Sequence, residues 1–281
     1  MIQIGKTNPL TIVKEVDFGL YLDGENFGEI LLPIRYVPAA YTIGEKLEVF
    51  LYFDSEDRLI ATTLTPLAQV GEFAFLNCVA VNQAGAFLDW GLPKDLLLPY
   101  DEQTYRPEVG KSYIVYIYKD ESSGRIAAST KIRDFVDEES LGEFTVGQEV
   151  ELLNANKTDL GYQMIVNNTH LALLHKHEVL QPLKHGERLK GFIQNIRPDR
   201  KIDLCLFKQA SDKTDEVGEA ILYKLKTNKG FLPLHDKSDP EAIKAMFGVS
   251  KKIFKKTIGS LYKQKRITIE ENGIRLIQIA T

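Results

Sequence analysis

Nine glycines in a fixed register constrain this chain more than any other feature. Gly5, Gly19 and Gly44 are 14 and 25 residues apart, and the same two intervals recur in Gly71, Gly85 and Gly110 and in Gly147, Gly161 and Gly186. Two spacings kept three times mark an internal repeat. Around the middle glycine the copies read FGLYLDGENFGEILLP (18–33), AGAFLDWGLPKDLLLP (84–99) and, more distantly, LGYQMIVNNTHLALLH (160–175). The third glycine is followed each time by a β-rich run, a charged turn and a second β-rich run, as in EKLEVFLYFDSEDRLIATTL (45–64). Each copy therefore offers about five short strands in roughly 62 residues.

Five short strands with a long connection between the third and the fourth fit the partly open Greek-key barrel of the OB type. In copy one the strands are expected at 10–16, 18–22, 29–32, 46–53 and 58–64. Alternation sends Leu20 and Leu22 inward and leaves Tyr21 and Asp23 outside; in copy two Ala86 and Leu88 go in, Phe87 and Asp89 out. Simple parity would also bury Phe18. A bulge at Gly19, where glycine tolerates positive φ, is expected to shift the parity and bring Phe18 beside Tyr21 on the outer surface. Exposed aromatics on the second and third strands of such a barrel are where nucleic-acid bases stack.

These residues resemble the RNA-binding repeat named after ribosomal protein S1. That resemblance implies a binding face made of an aromatic before the strand-two glycine, a second aromatic two residues after it, a histidine ending strand three, and an Asp and Arg around the turn between strands four and five. Copy one matches with Phe18, Tyr21, Asp54 and Arg58, with Pro33 at the histidine position. Copy two keeps Phe87, Asp120 and Arg125, with Ala84 and Pro99 elsewhere. Copy three keeps His175, has Leu160 and Gln163 in place of the aromatics, and places Arg197, Arg200 and Lys201 near the turn. Since no copy is complete, one strand of RNA is expected to need several copies at once.

Charge is divided unevenly. Residues 1–70 carry net −5 and 71–146 net −6, whereas 147–214 carry +2 and 215–281 +5, within a total of −4. A polyanion is attracted mainly to the second half. Cys78 and Cys205 occupy non-equivalent positions in β-rich runs, which suggests buried thiols rather than a metal or disulfide framework. The opening MIQIGKTNPLTIV lacks the pattern of a secretory leader and no apolar run is long enough to cross a membrane, so a cytoplasmic protein is expected.

Beyond Asp215 the glycine register ends. A helix is expected at 219–227 and a strand at 231–234; Asp239 and Pro240 open a second helix that stops at Gly248, and Ser250 caps a third. Ile253, Phe254, Ile258, Leu261 and Tyr262 form the apolar stripe of that third helix, with Lys252, Lys255, Lys256 and Lys263 on another face. ITIEENGIRLI alternates about Asn272-Gly273, a hairpin signal. This order resembles a winged helix. Its lysines suit phosphates, and without Arg or Asn among them base-specific major-groove reading is poorly supported.

The expected fold class is thus mainly β with a C-terminal α+β module: barrels at 1–67, 68–134 and 146–211, and a winged helix at 215–281. The acidic stretch 137–139 falls in ten extra residues between copies two and three and reads as a linker. Three such repeats followed by a winged helix resemble the conserved virulence factor B family. What this resemblance implies is a cytoplasmic RNA-binding regulator of expression that uses no cofactor. The sequence holds no P-loop or Rossmann pattern, and the histidines at 170, 175, 177 and 185 lack further ligands at zinc spacing. A non-enzymatic protein binding single-stranded RNA is expected. The alternatives are a DNA-binding transcription regulator acting through the winged helix and an assembly scaffold. The sequence says nothing of oligomeric state.

Overall fold

The computed structural model of the protein describes residues 1–179, 181–207 and 210–277. The chain divides into two compact units, Met1–Val136 and Asp137–Thr281. The end of the expected tail module, 278–281, lies outside the described residues.

The first unit holds two closed barrels. One is built from β1 (Thr7–Val16), β2 (Gly19–Asp23), β3 (Glu29–Pro33), β4 (Lys46–Phe53) and β5 (Leu59–Thr62), in the order β1-β2-β3-β5-β4. Strand β3 runs parallel to β5 through Leu31 and Ile60, and the other neighbours are antiparallel. The second repeats this order with β6 (Phe73–Asn82), β7 (Gly85–Asp89), β8 (Leu96–Pro99), β9 (Ser112–Lys119) and β10 (Ile126–Ser129). Leu20, Leu22, Ala86 and Leu88 are buried, as alternation requires.

Strand β4 departs from alternation, because Val49, Phe50, Leu51 and Tyr52 are buried in succession. Val49 and Leu51 fill the core of barrel one, whereas Phe50 and Tyr52 join a cluster with Trp90, Leu92 and the core of barrel two. The Phe50 and Trp90 rings meet edge to face at 5.6 Å, and the Trp90 indole donates to the Lys94 carbonyl at 2.7 Å. A strand apolar on both faces is one covered on both sides. Here the second cover is the neighbouring barrel.

The expected bulge is present, on a different strand. Gly19 sits in register between Val16 and Pro33, while the extra residue is Val13 of β1, between the pairs Ile12–Leu22 and Lys14–Tyr21. Barrel two has the same insertion between Cys78 and Ala80. What requires glycine at 19 is proximity: a Cβ there would stand 2.1 Å from the Leu32 carbonyl oxygen, and at Gly85 2.3 Å from that of Leu98. These strands cross too closely for any side chain. The φ of 151° at Gly19 also breaks the alternation before Leu20, which leaves Phe18 exposed.

In the second unit, β11 (Glu149–Lys157), β12 (Gly161–Val166), β13 (His170–His175), β14 (Arg188–Ile196) and β15 (Ile202–Cys205) close a third barrel in the same order, with the bulge between Asn154 and Asn156. Gly161 repeats the close approach, 2.1 Å from the Leu174 oxygen. The acidic stretch read as a linker is bound to this barrel. Asp137 donates its N–H to the Thr169 carbonyl and accepts from the Leu171 N–H, and Phe144 enters the core.

The tail forms α1 (Ala210–Thr227), β16 (Phe231–Leu232), α2 (Pro240–Phe247), α3 (Lys251–Lys263), β17 (Ile267–Glu270) and β18 (Gly273–Leu276), with sheet order β16-β18-β17. Asp239 accepts from the N–H groups of Glu241 and Ala242, Gly248 closes α2 at φ 68°, and Ser250 caps α3 through the Ile253 N–H. Helix α1 starts earlier than expected and β16 is shorter. The hairpin turn falls on Glu271 and Asn272; Gly273 is a strand residue, held against the Leu232 carbonyl. Tyr262, expected in the apolar stripe, is exposed, and Thr257 is buried in its stead, donating its hydroxyl to the Ile253 carbonyl. No described helix is long and apolar enough to cross a membrane.

Candidate nucleic-acid interface

The expected binding residues lie on strands and turns of the barrels and on α3, and each barrel arranges them differently. In barrel one, Phe18 is 54% exposed and its ring meets that of Tyr21 edge to face, centroids 6.3 Å apart. The bulge at Val13 sets Lys14 opposite Tyr21, with its ammonium 4.9 Å from the ring centroid and 2.6 Å from a Glu29 carboxylate oxygen. Two aromatic rings at right angles and a Glu29-paired cation thus stand together at the surface of barrel one. Lys14 escaped the sequence reading because only the bulge brings it there. Asp54 and Arg58 stand together in the turn between β4 and β5. The Arg58 Nε and Nη2 donate to Asp54 Oδ2 at 2.9 and 2.7 Å, and its Nη1 lies 2.9 Å from Glu56. Their first role is to close the turn.

Barrel two separates the residues expected as a pair. Asp120 accepts from the hydroxyls of Ser123 and Ser122 at 2.5 and 2.9 Å, and these bonds lower its carboxyl to about 2. Arg125 turns instead to barrel one, where its Nη2 donates to Asp57 Oδ2 at 2.5 Å. Between them opens a cleft of about 600 Å³, lined by Phe87, Leu97, Tyr118 and Arg125 of barrel two and by Phe53 and Asp57 of barrel one.

Barrel three gathers its polar residues around one that the sequence reading missed. Asp203 of β15 is 8% exposed; its Oδ2 accepts from the Arg197 Nε at 2.8 Å, its Oδ1 contacts the Arg197 Nη2, and the His175 Nε2 stands 3.1 Å from Oδ1. Strand pairing explains the contact, since Leu173 lies beside Asp203 and Leu174 beside Leu204. Ile60 and Ala127 hold the equivalent strand-five positions in the first two barrels, where proline replaces the histidine. His175 also stacks on His177, with centroids 5.4 Å apart. Lys201 is exposed, and Arg200 lies 3.8 Å from Glu139. Among the described residues, no three His, Cys, Asp or Glu stand together as a metal site.

The Arg197 guanidinium, and after it the His175 ring, hold the Asp203 carboxyl below the usual carboxylate range. Its stabilisation is therefore complete above the ordinary Asp pKa and is lost as pH falls through the lowered folded value. Asp203→Ala leaves the partly exposed Arg197 guanidinium without its charged acceptor, which is expected to cost about 1 kcal/mol at neutral pH. Denaturant midpoints of wild type and variant should converge in acid. Equal midpoints at pH 7 would remove Asp203 from the account.

On the winged helix, Lys252, Lys255, Lys256 and Lys263 are all exposed on α3; Lys255 approaches Asp236 at 3.9 Å. The helix stands on a core of Phe254, Ile258 and Leu261, with Phe247 of α2 stacked on Phe254 at 5.6 Å. A cavity lined by Leu206 and Phe207 after β15 and by Val217, Ala220, Met246 and Phe247 of the tail lies inside this second unit.

Comparison with known proteins agrees with this architecture. The S1 domain family matches residues 4–64 and 70–131, and the CvfB-like winged helix domain matches residues 219–276. The chain is 27% identical over 247 residues to conserved virulence factor B of Staphylococcus epidermidis, covering 84% of this chain and 81% of that protein. The chain joins S1 domains to a CvfB-like winged helix domain and is similar to conserved virulence factor B. A Bacillus subtilis (strain 168) protein, YitL, is 29% identical over 283 residues, covering 96% of this chain and 92% of its own. A solved structure from Streptococcus pneumoniae TIGR4, described as a multidomain protein with nucleic acid binding domains, is 25% identical with a TM-score of 0.43 over 98% of each chain. The S1 and winged-helix domains support nucleic-acid binding.

Proposed function

We propose that the protein binds single-stranded RNA in the cytoplasm and regulates gene expression after transcription, without catalysis and without a cofactor. The observation that carries this reading is the Phe18–Tyr21 pair with Lys14 on the outer face of barrel one, a stacking platform for unpaired bases. Duplexes hide their base faces, so such a platform favours a single strand. The lysines of α3 supply sequence-independent phosphate attraction, in keeping with the positive charge of residues 147–281. A DNA-reading winged helix is the competing interpretation. The exposed face of α3 lacks the Arg and Asn side chains that pair bidentately with base edges.

Salt dependence tests the tail's share. Replacing Lys255 and Lys256 by alanine removes up to two phosphate contacts, so the slope of log affinity against log salt for a single-stranded RNA should flatten by about 1.4. An unchanged slope would take α3 out of the RNA surface.

A further inference from the structure

Barrel two carries a cation and an aromatic on the outer face used for binding, yet its cation is already occupied. Arg125 gives its guanidinium to Asp57, which belongs to barrel one. The same carboxylate lies 3.3 Å from the ammonium of Lys94, which also donates to the Asp54 carbonyl at 2.6 Å. Asp57 thus stands where a phosphate would stand, between two cations and at the edge of the cleft that Phe87 lines. The turn that carries it is fixed from both sides. Asp54 and Arg58 lock it within barrel one, and the Phe50–Trp90 contact fixes the barrels to each other in one compact unit.

We propose that Asp57 is an intramolecular competitor for the phosphate of a bound nucleotide at barrel two, so that the RNA site there opens only when the Asp57–Arg125 and Asp57–Lys94 pairs give way. This inference rests on the RNA-binding reading above and adds to it the regulation of one of its sites. Both side chains of the Arg125 pair are about half exposed or more, 61% and 49%. Exposed pairs of this kind are weak. The competitor is therefore displaceable by a polyanion rather than a permanent plug, and its strength falls with ionic strength alongside that of the RNA. Besides Asp57, the acidic groups lining the cleft are Asp95 and Asp120, the second held by its serines.

Asp57→Asn keeps the shape of the side chain and suits a residue at φ 58°, a conformation that Asn adopts readily. Glu121→Gln removes an equal charge from an exposed position in the turn of barrel two and serves as the control for long-range attraction. Binding of a fluorescein-labelled 12-nucleotide single-stranded RNA by the full chain is measured over a salt series. Asp57→Asn should tighten binding about two- to fivefold, the range of an exposed ion pair. It should also steepen the salt slope by roughly 0.7 for each cation released to a phosphate. Glu121→Gln should leave the slope unchanged, and adding Arg125→Gln to Asp57→Asn should abolish most of the gain. If wild type binds RNA and Asp57→Asn matches Glu121→Gln in affinity and slope, the competitor is refuted while the RNA reading stands. If neither the wild type nor any variant binds RNA, both fall.

Discussion

Alanine at Gly19 is expected to cost about 3 kcal/mol or more, enough to unfold barrel one preferentially. Two effects add. The new Cβ would lie 2.1 Å from the Leu32 carbonyl oxygen, inside any real contact distance, and the φ of 151° is one that side-chain-bearing residues rarely adopt. Overpacking of a well-packed core costs about 1–3 kcal/mol, and here the obstacle is backbone in a paired strand, which yields less than a side chain. The clash also pushes on Phe18, whose carbonyl accepts the Ile34 N–H at 2.8 Å. Gly161→Ala meets the Leu174 carbonyl at 2.1 Å without the positive φ, so it should cost less than Gly19→Ala and separates the steric effect from the conformational one. Chemical denaturation of the whole chain, followed by circular dichroism, reads both. A Gly19→Ala protein with the wild-type midpoint would mean that β2 and β3 are not packed as described.

Removing the aromatic platforms should act on binding and spare the fold. Phe18 is more than half exposed, so Phe18→Ala forfeits little burial, and Phe87, half-buried beside Leu97, forfeits somewhat more. Stacking is worth about 1–3 kcal/mol per base, so each substitution should weaken single-stranded RNA binding by roughly 5- to 150-fold if one base rests on each ring. Phe18→Ala is expected to have the larger effect, because barrel one presents its platform openly while Asp57 crowds that of barrel two. Binding isotherms beside melting curves separate the outcomes. A lowered melting temperature with unchanged affinity would assign Phe18 to capping the barrel.

Local signals in the sequence translated well into local structure. The alternation of Leu20 and Leu22 and the Asp239–Pro240 start, Gly248 stop and Ser250 cap each involve residues a few positions apart, whose geometry is decided by period and backbone conformation. The repeat itself was visible because all three barrels need a glycine where strands two and three approach. Its physical cause was not. The bulge that sets the parity lies on β1, and nothing about Val13 marks it in one sequence.

The sequence names candidate side chains but not the partners they meet in the fold. Asp203 meets His175 across 28 residues through a parallel pairing, and Asp57 meets Arg125 across 68 residues and two barrels. Such contacts are set by closure of the barrels and by their packing, which leave no short-range pattern. The same holds for Phe50 and Tyr52, which an alternating strand would have exposed and a neighbouring barrel covers.

Unpaired RNA is the proposed ligand, held by stacking on the barrels. A competition titration at two salt concentrations tests it most directly, with a labelled single-stranded RNA displaced by unlabelled single-stranded RNA, single-stranded DNA and duplex DNA of the same sequence, for wild type and Phe18→Ala/Phe87→Ala. Single-stranded RNA should compete best at both salts, and the double substitution should weaken it by at least a kcal/mol, about one stacked base. Preferential displacement by duplex DNA, with no effect of the double substitution, would contradict it and make the winged helix the reader.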